Sequence, residues 1–294
     1  MSRHLLSALC SVHELVARPA APDLRGHVLG YRGFRFGAIG ERRRLMIPDA
    51  VVKVMLGFGD PLRVVDPFEP ARSASAVSLV NGVRTTAAIG EHTGRIHGVT
   101  VLLTPLAAYR VFGVPLSEWA NLSACPSAFG STDLARLAER LAAVPDWETR
   151  FALLDRLLRA LLGAGPAYSP EVAWAWSVLQ GSAGRVRVEA LAAGTGWSRR
   201  HLERRFRLQT GLTPKGAAQV LRLQSALRLK ESGASWADAA AQAGYHDQPH
   251  FDRTFKAMTG RTPTRFRADR TAASAQDAPD FVPGRITSAI LPRC

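Results

Sequence analysis

Cysteine is scarce in this sequence. Cys10, Cys125 and Cys294 are odd in number and far apart in 294 residues. None forms the close C-x-x-C pair of a zinc ribbon or redox motif, so a disulfide framework does not organise the chain. Long apolar runs are lacking as well. No uninterrupted stretch approaches the roughly 20 residues needed to span a bilayer. The N-terminal MSRHLLSALCSVHELVARPA is broken by His13 and Glu14 and makes a weak signal peptide, so a cytoplasmic protein with no membrane partner is expected. Acidic residues are also few, 24 against 38 Lys and Arg, for a formal net charge of +14. No Ser/His/Asp set, phosphate-binding glycine loop or paired carboxylates stand out. The expectation is therefore a protein that is not an enzyme and needs no cofactor.

What the chain does have is length, apolar content and concentrated positive charge. Its 294 residues, 47% of them hydrophobic, suffice for about two domains with substantial cores. Residues 185–270 carry 17 Lys/Arg against 7 Asp/Glu, a net of +10, while residues 1–184 carry 19 against 15. A basic field gathered on one region attracts polyanions by long-range electrostatics and counterion release. A merely solvated arginine-rich surface is the plainer alternative.

From about residue 26 to 103, short apolar stretches such as HVLGYRGFRF, DAVVKVMLGFGDP and GRIHGVTVLLTP are broken by Gly, Pro and Asp. The pattern predicts an antiparallel sheet or small barrel, with turns at Gly59, Asp60 and Pro61 and at Asn81 and Gly82. From Ser131 the composition shifts to Leu, Ala, Arg and Glu. Leu134, Leu137 and Leu141, then Phe151, Leu154, Leu157, Leu158, Leu161 and Leu162, mark a helical hairpin over 131–165 whose second helix Asp146 can cap. Its apolar stripe must pack on the sheet domain or form a dimer interface. GAGPAYSP then reads as a linker, and Ser169 followed by Pro170 as the cap and first residue of a new helix. The tail over 271–294 lacks periodicity and is expected to be mostly disordered, with ITSAIL as a stretch that can dock on the body.

The strongest internal feature is a repeat. HLERRFRLQTGLTP at 201–214 and HFDRTFKAMTGRTP at 250–263 match at half of their fourteen positions, so one structural unit is used twice. In the first copy an Ala/Leu-rich helix ends near Ala193, residues 194–197 turn, and Ser198 caps a second helix that buries Leu202 and Phe206. Asp247, Phe251 and Phe255 play the same parts in the second copy, and His201 and His250 read as packing residues. Gly211 and Gly260 close the helices, and Pro214 and Pro263 start the next ones. Helix, short turn, helix is the form that lays its second helix in the DNA major groove. The outward residues Arg199, Arg200, Glu203 and Arg204, with Gln248, Pro249, Asp252 and Arg253, are the candidate base readers. Ser198, Arg207, Lys215 and Lys256 are the candidate phosphate contacts. An amphipathic helix through Val220, Leu223, Leu227 and Leu229 joins the two units. It sets them for neighbouring groove segments about 34 Å apart, or closer on bent DNA.

These residues resemble the AraC/XylS family of bacterial transcription regulators over roughly residues 170–270. ALAAGTGWSRRHLERRFRLQTGLTPKGAAQVLRLQSALRL matches the first helix-turn-helix and linker helix, and AAAQAGYHDQPHFDRTFKAMTGRTPTRFR the family's signature. The resemblance implies an α+β chain: a β-rich, cupin-like effector-sensing domain over 1–130, the hairpin as a dimerisation element, and a double helix-turn-helix domain over 169–270. It also implies reading by Arg200, Glu203 and Arg204 and by Pro249, Asp252 and Arg253. Pro249 departs from the pattern, since in place of an amide side chain it offers only an apolar contact such as a thymine methyl. The implied partners are double-stranded DNA, RNA polymerase, a small-molecule effector and a second copy of the chain. Two other functions compete with a sequence-specific activator. One is a DNA-repair regulator with an alkyl-accepting cysteine, for which Cys10 and Cys125 lack an activating cluster. The other is a nonspecific DNA-binding protein. His27, His92 and His97 fit no metal-ligand spacing, and no metal site is expected. Tyr109, Phe112 and Trp119 are either core aromatics or pocket walls.

Overall fold

The computed structural model describes residues 13–37, 40–129, 132–272 and 284–291. Cys10, Cys294, most of the candidate signal segment and residues 273–283 of the tail lie outside them. The chain starts with β1 (His13–Arg18), β2 (Val28–Phe36), β3 (Arg42–Met46), β4 (Val52–Gly57), β5 (Leu62–Val65), β6 (Ala74–Ala76), β7 (Leu79–Asn81), β8 (Ala88–His92) and β9 (Ile96–Leu103). Helix α1 (Pro105–Phe112), the short β10 (Ser123–Ala124) and helices α2 (Thr132–Ala142) and α3 (Trp147–Ala164) follow. The strands pair antiparallel in two sheets, β1-β2-β9-β4-β7-β10 and β3-β8-β5-β6, the second extended at β3 by a strand from the far end of the chain. The fold is α+β, with a two-sheeted β domain ahead of an all-helical region.

Period-two alternation sorts the side chains of the first sheet. Arg32, Phe34 and Phe36 of β2 and Lys53 and Met55 of β4 face a cavity between the sheets. Tyr31 of β2 and Val52, Val54 and Leu56 of β4 face the other way into the main core. The hairpin covers that outer face. Leu134, Leu137 and Leu141 of α2 and Phe151, Leu154, Leu158 and Leu162 of α3 are all buried there, each worth about 1.5–3 kcal/mol. Phe151 stacks on Tyr31 with ring centroids 5.6 Å apart. Trp147 lies so close over Gly33 that a methyl on that glycine would come within 2.4 Å of its ring. Beneath α3, buried Asp155 accepts hydrogen bonds from Tyr31 Oη at 2.6 Å and Arg18 Nη2 at 2.9 Å. The stripe is thus taken up by the chain's own sheet.

Three local expectations need correction or addition. Asn81 and Gly82 do not form a turn: Asn81 ends β7, buried, and Gly82 N donates to Leu122 O. Helix α1 was not marked by its sequence period, although Thr104 caps it, Pro105 opens it and Gly113 closes it in the left-handed region. Ser169 does precede Pro170 at the start of the next helix, but its hydroxyl accepts from Arg205 and Gln209 instead of capping. In the tail, the ITSAIL stretch does dock on the body, Ser288–Ile290 pairing with β3.

The helical region comprises α4 (Pro170–Gly181), α5 (Val188–Thr195), α6 (Arg199–Thr210), α7 (Pro214–Glu231), α8 (Trp236–Gln242), α9 (Gln248–Thr259) and α10 (Pro263–Thr271). The strand Ser288–Ile290, β11, comes last. One apolar cluster runs from the outer face of the first sheet through α1–α3 into α4, α6, α7 and α9. The β domain and the helical region therefore share a core.

Candidate nucleic-acid interface

The repeat seen in the sequence recurs atom by atom. Ser198 Oγ accepts from His201 N at the start of α6, and Asp247 Oδ1 accepts from His250 N at the start of α9. These are side-chain caps on otherwise orphaned amides. His246 beside Asp247, together with that backbone donor, holds the Asp247 carboxyl below the usual carboxylate range. Each helix then buries two residues one turn apart, Leu202 and Phe206 in α6 and Phe251 and Phe255 in α9. Both end alike. Thr210 Oγ1 donates to Phe206 O and accepts from Leu212 N, and Thr259 Oγ1 donates to Phe255 O and accepts from Arg261 N. Gly211 and Gly260 close them at φ +79° and +70°. The two histidines pack on the preceding turn, His201 edge-on to Trp197 and His250 edge-on to Tyr245.

Burial of one stripe leaves the opposite one in solvent. Arg199, Arg200 and Arg204 of α6 and Gln248, Pro249 and Arg253 of α9 are exposed, and Glu203 and Asp252 are half-buried. Ser198, Arg207, Lys215 and Lys256 are exposed too. Arg207 and Lys256 lie in the last turns of the two helices, and Lys215 in the first turn of α7. Arg199 stands apart from the other arginines. Its Nη1 is 2.8 Å from Glu189 Oε1 of α5 and its Nε 2.9 Å from Glu203 Oε1. It must exchange those partners before it can touch a base or phosphate. Arg204 and Arg253 make no hydrogen bond or ion pair among the described residues.

Helix α7 joins the units and is buried along Val220, Leu223, Gln224 and Leu227. In the second unit, Tyr245 packs edge-on to Phe251. Burial raises its phenol to about 12, and the Arg222 guanidinium sits 5.4 Å from its ring centroid. In the second unit α8, the turn and α9 thus pack around one buried tyrosine.

Other sequence candidates fall elsewhere. Phe112 and Trp119 pack on Phe129 and belong to the core, with Tyr109 half-buried beside them. His92 lines the cavity between the sheets, and His97 packs edge-on against Phe58 and Trp147. Among the described residues no group of three His, Cys, Asp or Glu is placed to hold a metal, and no helix is long and apolar enough to cross a membrane. Cys125 is exposed, with a free thiol. The cavity itself, about 100 Å³ between the two sheets, was not singled out by sequence. Its signal is the alternation of YRGFRF, which sends Arg32 to the same side as Phe34 and Phe36.

Two capped helices with matching cores and outward arginines, each preceded by a helix and a tight turn, define a DNA-binding protein with tandem helix-turn-helix units. Comparison with known proteins agrees. The family model "Helix-turn-helix domain" matches residues 191–269. The chain is 34% identical over 120 residues to an uncharacterised HTH-type transcriptional regulator of Bacillus subtilis (strain 168), YbfI, covering 39% of this chain and 44% of that one. It is 32% identical over 99 residues to PqrA of Proteus vulgaris, described as a probable transcription factor, covering 33% of this chain and 80% of that protein. The chain thus spans less than half of the length of the Bacillus relative. Among solved structures, ToxT from Vibrio cholerae aligns with 80% of this chain and 96% of its own at 12% identity and a TM-score of 0.47. The chain belongs to the AraC/XylS family of transcriptional regulators.

Proposed function

We propose that this protein is a sequence-specific DNA-binding regulator, an effector-responsive activator, that reads two neighbouring major-groove segments with α6 and α9. The observation that carries this reading is the duplicated, identically capped helix with an exposed cationic stripe. A surface that only attracted polyanions would need no such repeated geometry. Arg200, Glu203 and Arg204 in the first unit and Gln248, Pro249, Asp252 and Arg253 in the second meet base edges, and the difference between the two sets favours an asymmetric site. Arg199 joins them once its carboxylates release it. Ser198, Arg207, Lys215 and Lys256 hold phosphates. The bound site brings RNA polymerase to a promoter, and any second copy of the chain docks through a surface other than the buried hairpin stripe.

The effector reading rests on the cavity in the β domain. Phe34, Phe36, Met46, Met55, Leu62 and Ile96 give it an apolar wall, and Asn81, Thr100, Arg32, Arg44 and Lys53 add polar groups, Lys53 being paired with Asp49. That chemistry suits a small organic molecule with an apolar body and a polar end, near the size range of a cavity of about 150 Å³ that accepts benzene. The test is selection of bound sequences from a random duplex library by the full chain at physiological salt. An asymmetric motif with two preferred blocks about one turn apart is expected. Equal binding to all duplexes would sink the proposal in favour of a nonspecific DNA-binding protein.

A further inference from the structure

The loop 82–87 joins β7 to β8, and it touches both reading units at once. Val83 packs against Gly211, the cap of α6, so closely that a methyl on that glycine would lie 2.5 Å from Val83 Cγ2. The methyl of Thr85 lies near Gly216 in the first turn of α7. At the other unit, Ala87 N donates to Met258 O at 2.7 Å, satisfying one of the carbonyls that the end of α9 leaves unpaired. The Val83 and Ala87 contacts fall at the C-terminal ends of α6 and α9, and the Thr85 contact at the start of α7. The outward faces that carry Arg204 and Arg253 remain exposed.

The loop is stiffened from its own domain. Arg84 Nη2 lies 2.8 Å from Asp66 Oδ2, and the two residues are 8% and 2% exposed. Arg84 Nε also donates to Thr86 O, and Asp66 Oδ1 accepts from the amides of Phe68 and Glu69. From the opposite side, Asn121 Oδ1 accepts from Thr85 N at 2.8 Å and Thr86 N at 3.3 Å, and Asn121 N donates to Val83 O. A buried ion pair is a weak source of net stability, and fixing one arrangement is a better-attested use of it. Helix α7 is flanked by two left-handed glycines, Gly211 at φ +79° and Gly233 at φ +103°. A single connecting helix sets a distance but leaves the mutual tilt of the two units to other contacts. A second tie at the far ends of the reading helices fixes that tilt.

We propose that loop 82–87 is a spacing gauge: the β domain, through Val83, Thr85 and Ala87, fixes the separation and tilt of α6 and α9 and restricts the chain to one half-site spacing. Arg84, Asp66 and Asn121 are positioning residues that act through the loop. The inference rests on α6 and α9 being the DNA-reading helices. Both strands that flank the loop also line the cavity, Asn81 from β7 and Gly90 and His92 from β8. A ligand there would bear directly on the gauge.

The experiment uses the full chain and the duplex it selects, remade with one or two base pairs inserted or removed between the two blocks. Each base pair displaces one block by about 3.4 Å and turns it by about 35°. The wild-type chain is expected to lose about tenfold or more in affinity per step. Asn121→Gly keeps the φ of +61° accessible while deleting the carboxamide, and Val83→Ala opens the contact with Gly211. In both variants the loss per step should shrink to about two- or threefold, and Asn121→Gln should not restore it. A role confined to stability would lower the active fraction equally at every spacing. An unchanged spacing profile in both folded variants overturns the gauge and leaves the DNA reading intact. Failure of the wild-type chain to select any sequence overturns the reading of α6 and α9, and the gauge with it.

Discussion

Arg204 and Arg253 hold equivalent places in two copies of one unit, whereas Arg199, at the start of the helix that carries Arg204, is bound to Glu189 and Glu203. The difference separates their expected effects. Arg204→Ala or Arg253→Ala should cost about 1–3 kcal/mol on the selected site and relax base preference at one position. Arg199→Ala should cost less, since the wild-type side chain gives up two ion pairs to bind. Titrating each variant against the selected duplex and its single-base changes distinguishes the cases, and a uniform loss on every sequence reassigns that arginine to a phosphate. A second prediction at this scale concerns His92. Burial, aided by the charges of Arg44 and Arg42, lowers its pKa to about 4, against about 6.5 in an unfolded chain. Between those values the unfolded state binds the extra proton, so stability falls as pH drops from 6.5 toward 4. His27 and His97 are shifted the same way, chiefly by burial. His92→Gln should flatten a share of the fall of order 3 kcal/mol, read from urea midpoints at pH 7 and pH 4.5.

At the scale of elements, Gly211 and Gly260 form a natural controlled pair. Both are left-handed caps of equivalent helices, but a methyl on Gly211 would meet Val83 at 2.5 Å, while one on Gly260 would find Phe68 Cζ at an ordinary 3.5 Å. Gly260→Ala should cost only the backbone strain of about 1–2 kcal/mol. Gly211→Ala should cost that plus about 1–3 kcal/mol of overpacking, and equal costs in chemical denaturation would mean that Val83 yields freely. The pair also marks how far sequence could be read. The glycines, Ser198 and Asp247 as caps, and the spacing of Leu202 with Phe206 and Phe251 with Phe255 were legible because helix starts, stops and stripes are written in neighbouring residues. Val83 against Gly211 was not legible, since it joins positions more than a hundred residues apart. Ser169 failed as a cap for the same reason: Arg205 and Gln209 compete for its hydroxyl. Asn81 and Gly82 looked like a turn in composition, but pairing of Asn81 with Lys53 and Ser123 kept the chain extended. Arg32, Arg44, Lys53 and His92 gather at one cavity only once two sheets face each other.

At the scale of the whole molecule, three distant segments meet at one buried amide. Gln224 of α7, 1% exposed, donates to Pro48 O at 2.8 Å and to Ile286 O at 2.7 Å, and accepts from Ile286 N at 3.0 Å. The β domain, the helix between the reading units and the C-terminal strand are thereby tied together. Around this point Ile286, Ala289 and Leu291 are buried, and Arg270 of α10 donates to Ser288 O. Leucine at position 224 would keep the volume but leave a buried amide and two carbonyls without their partner, each group costing about 1–3 kcal/mol. Gln224→Leu should therefore destabilise the full chain by several kcal/mol, read from the urea midpoint. A chain ending at residue 283 lacks Ile286, and there water reaches the site and replaces the lost partners. In that background the same substitution should cost clearly less, so the two changes are non-additive. A cost that is the same in both backgrounds would mean that Gln224 acts within the helical region alone. The C-terminal strand would then be an attached edge of the sheet and no part of the tie between domains.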